Sequence, residues 1–124
     1  MTRQARLKKP PKYAFMKRIA LALPGTSEEP HKYGQWFNIG KKTFALYWFK
    51  SERWILRLPH HQVMMLCDAR PDVFSPMKNA TMLWIYVDVT KLSAAELRDY
   101  VTAAWRYTSP KKIVKQHLAA QERT

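Results

Sequence analysis

The spacing of apolar residues changes period several times along the chain, and each change marks an element. Phe15, Ile19, Ala22 and Leu23, with Met16 and Ala20 beside them, follow helical spacing from Tyr13 onward; Lys17 and Arg18 fall toward solvent, and Pro24-Gly25 ends the pattern. Glu28-Glu29 reads as a turn ahead of Pro30. Trp36, Phe37 and Ile39, then Thr43 to Phe49, then Trp54 to Leu58, are dense in aromatic and branched residues and predict antiparallel strands. Gly40-Lys41 fits a two-residue hairpin loop, because glycine supplies the positive φ that the first position of a type II′ turn requires. Lys50-Ser51-Glu52-Arg53 makes the second connection.

Further on, Val63, Leu66 and Cys67 place a helix over His60 to Ala69, stopped near Pro71. In the strand predicted at Leu83 to Val87, Leu83, Ile85 and Val87 share one face while Trp84, Tyr86 and Asp88 take the other, so an aromatic pair is expected on the less buried side. Ser93-Ala94-Ala95-Glu96 matches a capping box, and Leu97, Val101, Ala104 and Trp105 form the apolar face of the helix it starts. Ser109-Pro110 resets the chain, with Ser as N-cap, before a short last helix carrying Ile113, Val114, His117 and Leu118. This order argues for the α+β class, a two-layer arrangement in which an antiparallel sheet is flanked by helices.

Length and a 47% hydrophobic content fit one domain, spanning residues 13–121. Residues 1–12 hold Arg3, Arg6, Lys8, Lys9 and Lys12 with Pro10 and Pro11 and no acid, the composition of a flexible basic tail. No apolar run approaches the roughly 20 residues of a membrane span, and the N-terminal segment lacks a signal's apolar core. A cytoplasmic location without a membrane partner is the expectation. The lone Cys67 cannot pair within the chain and reads as a small buried hydrophobe.

Charge changes the picture most: 22 Lys and Arg against 9 Asp and Glu give a formal +13. Such an excess costs compactness through self-repulsion and points to a polyanionic partner, nucleic acid first. Lys41 and Lys42 sit at the tip of one predicted hairpin, and Lys50 and Arg53 at the tip of the next, so two cationic loops would straddle a phosphate backbone. Arg53, Ile55 and Arg57 share a strand face opposite Trp54, Leu56 and Leu58, which turns the arginines outward. Lys111 and Lys112 fall in the first turn of the last helix, where the dipole is already positive, and this conflict invites an anion. Trp36, Trp48, Trp54 and Trp84 with Tyr33, Tyr47 and Tyr86 offer rings for stacking on unpaired bases, Trp84 and Tyr86 being best placed by strand parity.

Catalysis has little to stand on. His31, His60, His61 and His117 form no i, i+4 metal pair, no second cysteine completes a thiolate cluster, and three glycines make no phosphate loop. No catalytic residue, metal or cofactor is expected. The competing reading is a small anionic ligand or protein-interaction module that uses a pocket near Trp84 and Tyr86.

Several segments resemble one family in order and spacing. Ala22-Leu23-Pro24-Gly25-Thr26, Tyr33-Gly34, Phe37 and Ile39-Gly40-Lys41-Lys42-Thr43-Phe44-Ala45 come first. Trp84-Ile85 with Val87, Leu97-Arg98 and Ala104-Trp105-Arg106-Tyr107, followed by Ser109-Pro110-Lys111-Lys112, come later. Over roughly residues 13–118 this resembles the MmcQ/YjbR-like family. The resemblance implies a CyaY-like fold and the family's proposed double-wing DNA-binding arrangement, with no catalytic residues to carry over. A frataxin-like iron site would need an acidic first helix, where this chain has Lys17 and Arg18 and no carboxylate. The expected function is therefore DNA binding through Lys41, Lys42, Lys50, Arg53, Arg57, Lys111 and Lys112, with little sequence discrimination.

Overall fold

A computed structural model describes residues 12–77 and 83–122. Helix α1 (Tyr13–Ala22) leads into strands β1 (Thr26–Pro30), β2 (Gly34–Ile39), β3 (Lys42–Trp48) and β4 (Arg53–Arg57). Then come α2 (His60–Ala69), β5 (Phe74–Pro76), β6 (Trp84–Val87), a 3-10 turn (Val89–Lys91), α3 (Ala94–Thr108) and α4 (Lys111–Glu122). The strands form one antiparallel sheet in the order β1-β2-β3-β4-β6-β5. The α+β two-layer expectation holds. Among the described residues no helix is long and apolar enough to cross a membrane.

Strand parity divides the sheet into two unlike faces. Phe37, Ala45, Tyr47, Trp54, Leu56, Ile85 and Val87 join the buried core cluster together with Met16, Val63, Leu97, Val101 and Trp105 of the helices. A bulge opposite Phe37/Asn38 leaves Phe44 as the extra residue of β3, which lets adjacent Phe44 and Ala45 both enter the core. Tyr13, Phe37, Tyr47 and Trp54 interlock with ring centroids 4.8–5.6 Å apart and seat α1 over the middle strands. α3 packs on β3 and β4, α2 on β5 and α1 on β1. α4 docks on α3 through His117, whose ring meets the Trp105 ring at 4.9 Å.

The opposite face carries Trp36, Leu46, Trp48, Arg53, Ile55, Arg57, Trp84 and Tyr86, which pair across the strands in matching register. Leu46 and Ile55 are buried there, flanked across the strands by Trp36 and Tyr86, so Ile55 does not follow the exposure of the arginines it shares a face with.

β1 departs from the expected turn. Its sequence TSEEP has no apolar alternation, yet it pairs fully with β2 as an edge strand, where charge and a proline hinder further pairing. Glu28 and Glu29 are therefore tied laterally. Glu28 accepts from Gln35 at 2.9 Å and pairs with Lys17 at 3.3 Å, while Glu29 accepts from Asn38 at 2.8 Å. In α1 the buried stripe is Tyr13, Met16, Ile19 and Ala20, one position round from the one centred on Phe15 and Ala22.

Residues 1–11 of the expected tail lie outside the described residues. Lys12 belongs to the fold: its ammonium donates to the carbonyls of Val89 and Leu92 and ties the start of α1 to the turn before α3. The predicted capping box forms in full, with Ser93 Oγ accepting from the Glu96 N–H and Glu96 accepting from the Ser93 N–H. Ser109 does not cap α4. Its hydroxyl is buried without a hydrogen-bond partner, and the Pro110 carbonyl takes the first N–H groups, from Ile113 and Val114.

Candidate nucleic-acid interface

The predicted cations divide between the two ends of the sheet. Gly40-Lys41 closes the β2–β3 hairpin with Gly40 at φ 61°, as the glycine requirement anticipated. The next hairpin turns at the far end of β3 through Phe49-Lys50-Ser51-Glu52, with Glu52 at φ 57°. Successive turns of an antiparallel meander must lie at opposite ends of the strand between them. At about 3.4 Å per residue over seven residues, the tips stand roughly 25 Å apart. The two loops thus stand at opposite ends of the sheet and do not form one paired tip. Arg53 is also not at a tip: it is the first residue of β4, paired with Trp48, and its guanidinium lies 5.2 Å from the Tyr86 ring centroid.

The end that holds Lys41 and Lys42 gathers other cations. Trp105 Nε1 donates to the Pro24 carbonyl at 3.0 Å, and Pro24 stands just ahead of the β1 end that pairs with Ile39. The last turn of α3 is therefore at the Gly40 end. There Arg57, the last residue of β4, lies 5.1 Å from the Tyr107 ring, four residues before Lys111. Lys41, Lys42, Lys111 and Lys112 are all exposed. The sequence placed each of them on its element; the tertiary docking of α3 brought the two groups to one end.

Lys50 and Arg53 instead share the other end with carboxylates. A cavity of about 300 Å³ there is lined by Glu52, Arg53, Asp72, Ser75, Tyr86 and Asp88 among others. Asp88 accepts from the Thr90 N–H and hydroxyl, and Lys91 donates to the Asp72 carbonyl. This pocket takes Tyr86 but not Trp84, which lies two residues away along β6 beside Arg57. Three lining carboxylates make it a poor receptor for an anion.

The aromatic candidates also divide. Trp54 and Tyr47 are buried in the core at 1% and 2% exposure and cannot stack on a ligand. Trp36, Trp48, Trp84 and Tyr86 are half-buried on the open sheet face, as parity anticipated for the last two. His31 stacks on the Trp36 ring at 4.1 Å, and Trp48 meets that ring edge-on at 5.4 Å. Tyr33 is exposed at the tip of the β1–β2 turn, under the Lys32 ammonium. Cys67 is only partly buried against the core, and that burial pushes its thiol above the ordinary range.

Comparisons with known proteins agree with this architecture. The chain is similar to the solved crystal structure of Deinococcus radiodurans protein DR2400, of the family-model domain DUF419, with a TM-score of 0.68 at 19% identity over 85% of each chain. That likeness shows the fold. No protein with a curated description matches the chain. The YjbR family model matches residues 21–107, from the end of α1 to the Tyr107 that packs under Arg57, and the chain accordingly belongs to the YjbR family.

Proposed function

We propose that this protein is a nucleic-acid-binding domain that holds phosphates at the end of the sheet formed by the β2–β3 hairpin and the α3–α4 elbow. One observation carries the reading: Lys41, Lys42, Arg57, Lys111 and Lys112, from three separate segments, converge on one end of a chain whose formal charge is +13. Ammonium groups at a hairpin tip and at a helix start neutralise phosphates and release counterions without reading bases. DNA is the first target to test, sequence discrimination is weak, and the domain acts as a cytoplasmic binder rather than an enzyme. In this reading a single wing, the β2–β3 hairpin, works with the elbow, and Lys50 and Arg53, at the other end of the sheet, take no part.

The test is fluorescence anisotropy with duplex and single-stranded DNA across a salt series. If Lys41 and Lys42 each neutralise one phosphate, Lys41→Gln/Lys42→Gln lowers the slope of log K against log salt by about 1.4–1.8. The equal-charge control is Arg18→Gln/Arg98→Gln, because both arginines are exposed on the outside of the helical layer, flanking Phe15. Equal weakening in both double variants would make the attraction a property of net charge and refute the site.

A further inference from the structure

We propose that the sheet face left uncovered by the described helices is a base-stacking platform for single-stranded nucleic acid, with Trp48, Trp84 and Tyr86 as stacking rings and Arg57, toward the lysine end, as the phosphate partner. This rests on the nucleic-acid reading above and specifies unpaired strands as its target.

The face has the layout such a platform needs. A row of cross-strand neighbours runs Trp36, Leu46, Ile55, Tyr86 over β2, β3, β4 and β6. With strands about 4.8 Å apart, the row spans about 14 Å. Leu46 and Ile55, at 7% and 0% exposure, make a closed apolar floor, and half-exposed rings stand on both sides of it. Trp84 follows two residues from Tyr86 on the same face, about 7 Å along the strand, so the two rings can take separate bases. Trp36 is excluded because His31 already covers its ring at 4.1 Å.

One charge sits where a backbone would run. Arg53 lies over Tyr86 in the cavity it shares with Glu52, Asp72 and Asp88, which balance its charge, while Arg57 is paired with Trp84 in register and carries its guanidinium to the Tyr107 ring at the lysine end. Arg57 thus links Trp84 to the lysine end, an arrangement that combines stacking with phosphate contact and accepts any base, since every base has a π-face. Duplex DNA keeps its bases stacked on one another, so it gains nothing from the rings and meets only the lysine end.

The experiment compares an oligo-dT of about ten nucleotides with a duplex of the same length and with polyphosphate, which has charge but no bases. Trp84→Leu/Tyr86→Leu is expected to weaken oligo-dT binding at least about tenfold, while duplex and polyphosphate affinities stay within about twofold. Trp84→Phe/Tyr86→Phe keeps the π-faces and is expected to retain most of the affinity. Should the leucine pair not fold, Trp48→Leu carries the same expectation. Unchanged oligo-dT binding in folded leucine variants, with Lys41→Gln/Lys42→Gln still weakening both DNA forms, overturns the platform and leaves the phosphate site standing. If the wild type binds no nucleic acid near 0.15 M salt, both proposals fall together.

Discussion

Gly34→Ala tests whether the open face is packed as tightly as the backbone implies. A Cβ at Gly34 would lie 2.2 Å from the Tyr47 carbonyl oxygen and 2.7 Å from Cζ3 of Trp36. The first distance is 0.8 Å short of the 3.0 Å that real Cβ contacts respect, and its partner is backbone that cannot swing away. β2 must therefore move off β3 at its first residue, where Gly34 pairs with Trp48 and also exchanges hydrogen bonds with His31 across the β1–β2 turn. Losing one or two such bonds costs about 1 kcal/mol each, and forcing a methyl into a filled site costs about 1–3 kcal/mol. A destabilisation of about 2–4 kcal/mol follows, which lowers the urea midpoint by roughly 1–2 M at an m-value of about 2 kcal/mol/M. Gly40→Ala is the comparison, since nothing lies within 4 Å of its Cβ and only the φ of 61° resists substitution. Its cost is about 1–2 kcal/mol. Urea unfolding followed by tryptophan fluorescence gives both values. A Gly34→Ala loss below about 1 kcal/mol, or one smaller than Gly40→Ala, would refute the steric argument.

Two titrations follow from the buried and capped groups. Burial pushes the Tyr47 phenol up to about 12, with Glu52 and Tyr13 adding to the effect. A group raised above its unfolded value of about 10 contributes stability that is complete below that pH and is lost as pH climbs through the folded value. Alkaline unfolding should therefore release Tyr47 phenolate absorbance together with loss of structure, and Tyr47→Phe should unfold at higher pH; early, independent ionisation would contradict this. Glu96 is held below the usual carboxylate range, first by the Ser93 N–H, then by the Ser93 hydroxyl and the Arg70 guanidinium. A depressed carboxylate stabilises above its unfolded pKa and loses that contribution as pH falls through the folded one. Glu96→Gln should thus destabilise at neutral pH and converge on the wild type in acid, and a pH-independent difference would remove the charge from the explanation.

Much of the fold was legible because local signals were strong. The His60–Ala69 helix, the Gly40-Lys41 loop, the Ser93–Glu96 capping box and the parity of Trp84 and Tyr86 each rest on residues within a few positions of one another. β1 was hidden for a physical reason: an edge strand can draw its order from pairing with β2 and needs no apolar face of its own. Tyr47 and Trp54 look like Trp48 in sequence and differ only in which way the strand turns them, and Trp54 packs inward as its parity opposite Arg53 and Arg57 implied. Opposed hairpin tips, by contrast, were implied by the strand order and could have been drawn from it. The meeting of Arg57 with Tyr107 depends on how α3 lies across β3 and β4, a long-range contact that no local pattern encodes.

That same docking explains why one small domain can present two unlike surfaces. All four helices gather toward the core face, so the opposite face has nothing to bury its tryptophans against among the described residues. Leaving rings half-exposed on a sheet costs solubility unless something returns the favourable contact. Arg53 moderates that cost by lying over Tyr86, while Arg57 and the lysine end beside this face add to the chain's formal +13. A partner that carries both flat apolar rings and regularly spaced negative charge answers both surfaces at once, and a single nucleic-acid strand has both.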